Sequence, residues 1–223
     1  LSEYYSQQLS SNKLKRCYEI APPRVRQYLR AEVAYVLDNI EQPDIVVELG
    51  CGYGRVLKDL QSHASTVIGV DTSIESLCLA KEYLGKGTHC HLYQSDASRL
   101  ALLDHSVDKV ICVQNGISAF NTDPVRLIRE SVRITRRGGC CIFSSYSDSF
   151  WEYRLEWFKL QSKDGLIGEI DWSRTSNGVI ACNDGFRATI FRQTDFERLC
   201  NQLGLAAIIC EIDESSIFCK IPV

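Results

Sequence analysis

The run Ile45-Val46-Val47-Glu48-Leu49-Gly50-Cys51-Gly52-Tyr53-Gly54 joins an apolar segment to three glycines on alternate positions. Arg55-Val56-Leu57-Lys58-Asp59-Leu60 follows at once with helical spacing. This is a buried strand turning sharply into a helix, and the missing side chains let the backbone approach a ligand closely. Seventeen residues beyond Gly54, a second apolar run, Thr66-Val67-Ile68-Gly69-Val70, ends in Asp71. A glycine turn after one strand and a carboxylate at the end of the next is how doubly wound α/β folds hold a nucleoside.

The glycine register narrows the ligand. A dinucleotide-binding turn reads G-x-G-x-x-G, its third glycine letting helix and strand pack closely beside a pyrophosphate. Here the register is G-x-G-x-G, and Arg55 stands where that third glycine would be. The turn suits a nucleoside without pyrophosphate better than it suits a dehydrogenase-like or ligand-free Rossmann fold. At Val47 to Gly54 the chain resembles the class I S-adenosylmethionine-dependent methyltransferases, whose first motif reads much the same. The resemblance implies an α/β fold with a doubly wound seven-stranded sheet in the order 3-2-1-4-5-7-6. Its seventh strand would be antiparallel, with helices on both faces.

Other residues agree with that outline. His89 to Tyr93 reads as the third strand and Val107 to Val113 as the fourth. Asp123-Pro124 opens a helix with a capping residue and a first-turn proline. The helix is expected to close at Arg136-Arg137-Gly138-Gly139, before a fifth strand over residues 140–145. Thr72 with Glu75, and Thr194 with Glu197, have capping-box spacing. Residues 206–212 and 216–221 read as a terminal hairpin. The whole of 1–223 is expected to be a single domain.

Two segments fall outside the common pattern. Residues 1–40 hold an amphipathic stripe (Val25, Leu29, Val33, Val36, Leu37, Ile40), and the resemblance implies that this extension lies over the pocket as a lid. Residues 147–192 open with Phe150, Trp151, Tyr153, Leu155, Trp157, Phe158 and Leu160, apolar around most of a helix circumference, so that helix should be covered on more than one side. Asn177-Gly178 and Asp184-Gly185 are turn signals between short β runs, which predicts a small antiparallel meander after the fifth strand.

The composition is ordinary for a globular chain of 223 residues, with 45% apolar and 24% charged residues and a net charge of −3. No apolar run approaches the roughly 20 residues of a membrane span, and no leader is read at the start, so no membrane partner is expected. Eleven cysteines lie mostly within apolar runs, Cys78 among them on a helix core face, and none forms a C-x-x-C pair. They read as buried thiols in a reducing compartment, which places the protein in the cytoplasm with no metal centre.

The resemblance implies S-adenosylmethionine as cofactor and assigns its site residue by residue. Gly50, Cys51 and Gly52 would lay backbone along the ligand, and Glu48 would orient the methionyl amino group. Asp71, followed by Thr72, would accept from both ribose hydroxyls. Asp96 and Ala97 would meet the adenine. Gln114 and Asn115 end the fourth strand, where methyl group and acceptor would come together. Among the basic residues 13–30, Tyr18 and Arg24 are the candidates for the cofactor carboxylate. Tyr5, Tyr18, Phe120, Trp151, Trp157 and Trp172 are candidate pocket walls, and Arg187 a candidate anchor for an acidic group.

No catalytic residue is singled out, because methyl transfer chiefly requires alignment and exclusion of water. An aromatic, lidded pocket points to a small-molecule acceptor with an O, N or S nucleophile. The absence of N-P-P-Y or D-P-P-Y after the fourth strand speaks against methylation of nucleic-acid bases. The alternatives are an enzyme of tRNA or a protein side chain, docking through the basic segments 13–30 and 126–137, and a non-catalytic S-adenosylmethionine-binding module. A monomer or a homodimer is expected.

Overall fold

Strand β1 (Ile45–Leu49) buries Val46, Val47 and Leu49 at the centre of a seven-stranded sheet in the computed structural model. The structure describes residues 4, 8–86, 89–120 and 122–223. Strands β2 (Thr66–Asp71) and β4 (Val107–Cys112) flank β1 in parallel. Beyond them lie β3 (Cys90–Gln94) and β5 (Thr135–Tyr146), also parallel. After β5 comes a small hairpin of β6 (Ile180–Ala181) and β7 (Arg187–Ala188), a separate two-stranded sheet. The terminal pair, β8 (Ile208–Ile212) and β9 (Ser216–Pro222), completes the main sheet, with β9 antiparallel to β5. The order is therefore β3-β2-β1-β4-β5-β9-β8, the expected one once the hairpin of the insert is counted.

Both faces of the central strands are apolar because both are covered. Neighbouring residues of β1 point to opposite sides. Val46 packs with Val33 and Val36 of α2 (Pro23–Leu37), Val56 and Leu57 of α3 (Arg55–Leu60) and Leu77 of α4 (Ile74–Leu84). Val47 and Leu49 pack with Leu127 and Ile128 of α6 (Pro124–Ile134) and Phe196 of α8 (Gln193–Leu203). A four-residue helix, α5 (Gly116–Ala119), follows β4.

A third apolar cluster lies beside the sheet. It joins Tyr28 of α2 to Phe150 and to Leu155, Trp157 and Phe158 of α7 (Trp151–Lys163), with Ile180 and Phe186 of the insert on the far side. The aromatic helix is thus covered from two directions. Asn177 and Gly178 both have positive φ (51° and 81°), as a tight hairpin turn requires, and Gly185 has φ 93°. The β runs around these turns are shorter than expected, with pairing beyond β6 and β7 limited to single bridges such as Ser176 with Val179.

Several local expectations are corrected. Ser73, rather than Thr72, caps α4 by accepting from Ser76 N. Arg192 precedes α8, where the Asp195 carboxylate takes its N–H. Helix α6 ends at Ile134, and residues 135–139 already belong to β5. Gly139 lies so close to the Asp108 carbonyl that a Cβ would stand 2.3 Å from it. All eleven cysteines are free, but Cys78 is exposed instead of facing the core. No helix among the described residues is long and apolar enough to cross a membrane.

Candidate functional site

A cavity of about 500 Å³ opens at the C-terminal ends of β1, β2 and β4. Its floor is the glycine turn. Gly50 (φ +72°) and Gly52 (φ +53°) are left-handed, and their missing side chains make the space. A Cβ on Gly50 would stand 2.4 Å from the Phe120 ring, and one on Gly52 2.8 Å from Leu14 Cδ2. The turn is anchored to β2 by Gly50 N and Cys51 N, which both donate to Val70 O.

Asp71 ends β2 at the rim of this floor. Its Oδ2 accepts from Gly52 N and its Oδ1 from Ser73 N, each at 2.8 Å. Each oxygen keeps a lone pair for a ligand hydroxyl. Burial pushes its carboxyl up, and the backbone N–H groups draw it back down. Thr72, Ser95, Asp96 and Ala97 line the same end of the cavity. Asp96 Oδ1 is held by the N–H and hydroxyl of Ser98, both at 2.8 Å.

At the other end lies a group of polar side chains with unspent capacity. Glu48 is 4% exposed, and its Oε2 has no hydrogen-bond partner among the described residues. Burial pushes its pKa up to about 8, against the pull of Arg55. The Arg55 guanidinium lies 5.0 Å over the Tyr18 ring, and its buried Nη2 also lacks a partner. The Tyr18 hydroxyl donates to Gln114 Oε1. Burial raises the Tyr18 pKa well above that of a free phenol, so it remains a donor.

Gln114 and Asn115 are consecutive non-glycine residues at positive φ (54° and 62°), a costly backbone that its surroundings must hold. Glu32 does much of the holding. This fully buried carboxylate of α2 accepts from Gln114 N at 3.0 Å and from the Ser144 hydroxyl at 2.5 Å. Burial raises its pKa, with Ser144 and Arg55 working in the opposite direction.

The cavity brings together Tyr18, Glu48, Gly50, Cys51, Gly52, Asp71, Thr72, Asp96, Ala97, Gln114 and Phe120. Two expected cofactor residues are elsewhere. Arg24 gives Nη1 to Asp213 Oδ2 and Nη2 to Asp213 O, beneath the Phe150 and Tyr153 rings, away from the cavity. The Asn115 side chain donates to Thr189 O and accepts from Ser145, so it ties the insert to the sheet.

The expected walls divide similarly. Trp157 stands behind Tyr18, ring centroids 6.0 Å apart, and its indole N–H is bonded to Cys17 O. Trp151 packs against the third cluster, and Trp172 is 59% exposed beside Lys159. Arg187 borders a separate shallow depression with Arg174. Tyr5 lies outside the described residues. Leu9, Ser10 and Leu14 line the cavity from a segment in which only Tyr18 and Tyr5 were singled out. Arg55 and Glu32 were also missed. Arg55 registered only as a departure from the dinucleotide pattern, although Glu32 carried a signal, a lone carboxylate beside Val25, Leu29, Val33 and Val36 on a buried helix face.

Residues 46–139 match the model of a methyltransferase domain family. A malonyl-(acyl-carrier protein) O-methyltransferase of Marinomonas sp. is 32% identical over 131 residues, 56% of this chain and 47% of that protein. An arsenite methyltransferase of Aquipseudomonas alcaligenes is 31% identical over 136 residues, 56% of this chain and 38% of that protein. The chain thus spans about half the length, or less, of these curated relatives. Among solved structures, a Pyrococcus horikoshii protein superposes with TM-score 0.67 at 18% identity, covering 100% of this chain and 99% of that one. A SAM-dependent methyltransferase of Thermotoga maritima gives 0.65 at 17% identity, with 99% and 98% covered. At such identities the likeness shows the fold. The strand order and the glycine turn agree with the methyltransferase domain that residues 46–139 match.

Proposed function

We propose that this chain transfers a methyl group from S-adenosylmethionine to a small-molecule acceptor through an O, N or S nucleophile, by in-line displacement. One observation carries the reading. The cavity at the ends of β1, β2 and β4 is lined by three carboxylates, Glu48, Asp71 and Asp96, against one cation, Arg55. That balance suits a donor whose sulfonium and ammonium outweigh its single carboxylate. The donor supplies an activated methyl group, and its sulfur leaves as a neutral thioether.

The residues of the chain bind, orient and exclude water. Gly50 and Gly52 admit the ligand against backbone, and Asp71 offers each oxygen to a ribose hydroxyl in a charge-assisted bond. Asp96 and the Ala97 backbone face the adenine, and Glu48 the methionyl ammonium. Leu9, Leu14 and Tyr18 cover the cavity from α1 (Ser11–Glu19) and the residues before it, so this segment acts as a lid that keeps water from the reacting centre. A general base is required only if the acceptor's nucleophile must shed a proton.

A cavity of about 500 Å³ that also holds the donor leaves room for a small acceptor. Part of the charge that the basic segments could offer RNA is already paired. Arg16 pairs with Asp164, Arg133 with Glu130 and Asp104, and Arg136 with Asp108. The relatives' names include an O-methyltransferase and an arsenite methyltransferase, which supports the reaction class and leaves the acceptor to experiment. Calorimetry with S-adenosylhomocysteine and NAD, then turnover on an acceptor panel, tests the reading. Binding of the first alone, with methylation of a metabolite, is expected. Uptake of NAD in its place would refute it, and binding without turnover on any acceptor would favour a non-catalytic module.

A further inference from the structure

We propose that Arg55, together with Gln114, receives the methionyl carboxylate of the donor, the part that the sequence pattern offered to Arg24. The proposal rests on the reading of the cavity as an S-adenosylmethionine site. Arg24 is committed on both guanidinium ends to Asp213. Arg55 is the one cation lining the cavity among the described residues, and its buried Nη2 makes no hydrogen bond there. Leaving a charged donor buried and unpaired is costly, so the atom calls for an anionic partner.

Gln114 supplies the second half. Its Oε1 is taken by the Tyr18 hydroxyl, so the side-chain amide can only donate, and its buried Nε2 has no partner among the described residues. Tyr18 holds the two donors in relation to each other, with Arg55 over its ring and Gln114 on its hydroxyl. Glu48 Oε2 is the unspent acceptor of the same end. Two donors and one anionic acceptor are the complement of an α-amino acid, with the carboxylate on Arg55 and Gln114 and the ammonium on Glu48. At the adenosine end, by contrast, Asp71 and Asp96 are already held by backbone N–H groups.

This assignment gives Arg55 a positive role at the position where a dinucleotide fold keeps a glycine. The third glycine of the dinucleotide turn serves close helix–strand packing; here the position carries a side chain that lines the cavity. The same residue would therefore favour the amino-acid tail of the donor.

The test compares two ligands by calorimetry. S-Adenosylhomocysteine carries the amino-acid tail, and 5′-methylthioadenosine keeps the nucleoside and thioether but lacks the tail. Arg55→Gln is expected to lose S-adenosylhomocysteine affinity by about ten- to a hundredfold, the cost of a charge-assisted hydrogen bond. Its affinity for 5′-methylthioadenosine should stay within about threefold of wild type, which also shows that the site remains folded. Arg55→Lys keeps the charge without the fork and should fall between. Gln114→Leu should repeat the pattern more weakly, and Arg24→Ala should leave both affinities unchanged. Unchanged S-adenosylhomocysteine binding in Arg55→Gln, or an equal loss of both ligands, would overturn the proposal. If the wild type bound neither ligand, the reading of the cavity itself would fall, a result distinct from either.

Discussion

Glu48 makes the stability of the ligand-free protein depend on pH in a direction opposite to most carboxylates. Its folded pKa of about 8 lies above the ordinary value of 4.5. The neutral form is favoured in the folded state, so the group costs nothing below about pH 4.5 and opposes folding increasingly as pH rises toward 8. At about 1.4 kcal/mol per pKa unit, the full cost is roughly 5 kcal/mol, of which roughly 3 kcal/mol accumulates between pH 5.5 and 9. Glu48→Gln removes this term while keeping the shape. Urea unfolding of the ligand-free proteins should therefore show the variant gaining on wild type by roughly 3 kcal/mol across that range. Donor binding should reverse the shift, because an ammonium beside Glu48 favours its ionised form. Wild type should then release a proton on binding S-adenosylhomocysteine at pH 7, read from calorimetry in buffers of different ionisation enthalpy. A stability difference that stays constant with pH, together with binding that releases no proton, would refute the reasoning.

Other perturbations test the rest of the site. Gly50→Ala places a Cβ 2.4 Å from Phe120 on a residue at φ +72°, and should destabilise by about 1–3 kcal/mol and cost most of the ligand affinity. Phe120→Ala in the same chain should recover part of the stability, as a thermal melt will show. Asp71→Ala should weaken S-adenosylhomocysteine at least about tenfold without unfolding the sheet, since it removes a charged acceptor; unchanged affinity would move the ribose elsewhere. Trp157→Phe loses the bond to Cys17 O, which should cost about 1–2 kcal/mol and speed proteolysis within residues 8–20.

The sheet was legible because its signals are local and mutually consistent. The alternate glycines, Asp71 at the end of the next strand, the Asp123-Pro124 helix start and the two hairpin turns each specify one element. The end of the candidate site lined by Gly50, Asp71 and Asp96 was legible for the same reason, since these residues sit at or just past the ends of their strands. The end around Tyr18, Arg55 and Gln114 was not. It depends on where α1 and α2 settle, and sequence spacing does not say that Arg24 will turn to Asp213, 189 residues away, and leave the cavity to Arg55. The tryptophans failed similarly. An aromatic residue reads the same whether it faces a cavity, as Phe120 does, or a core, as Trp157 does, because burial alone satisfies it.

Asn115 has a consequence for how this scaffold can vary. Its amide is bonded to Thr189 in the insert and to Ser145, whose hydroxyl also takes Phe191 N. Three segments far apart in sequence are thus riveted together next to Gln114, which lines the cavity. Residues 151–187 could vary while the cavity kept its shape only where Trp157 stayed behind Tyr18 and these rivets were kept. Asn115 thus fastens the insert to the sheet at one point, and Trp157 fastens it to the cavity's cover at another, so a change in the insert is felt at the cavity through Trp157 first.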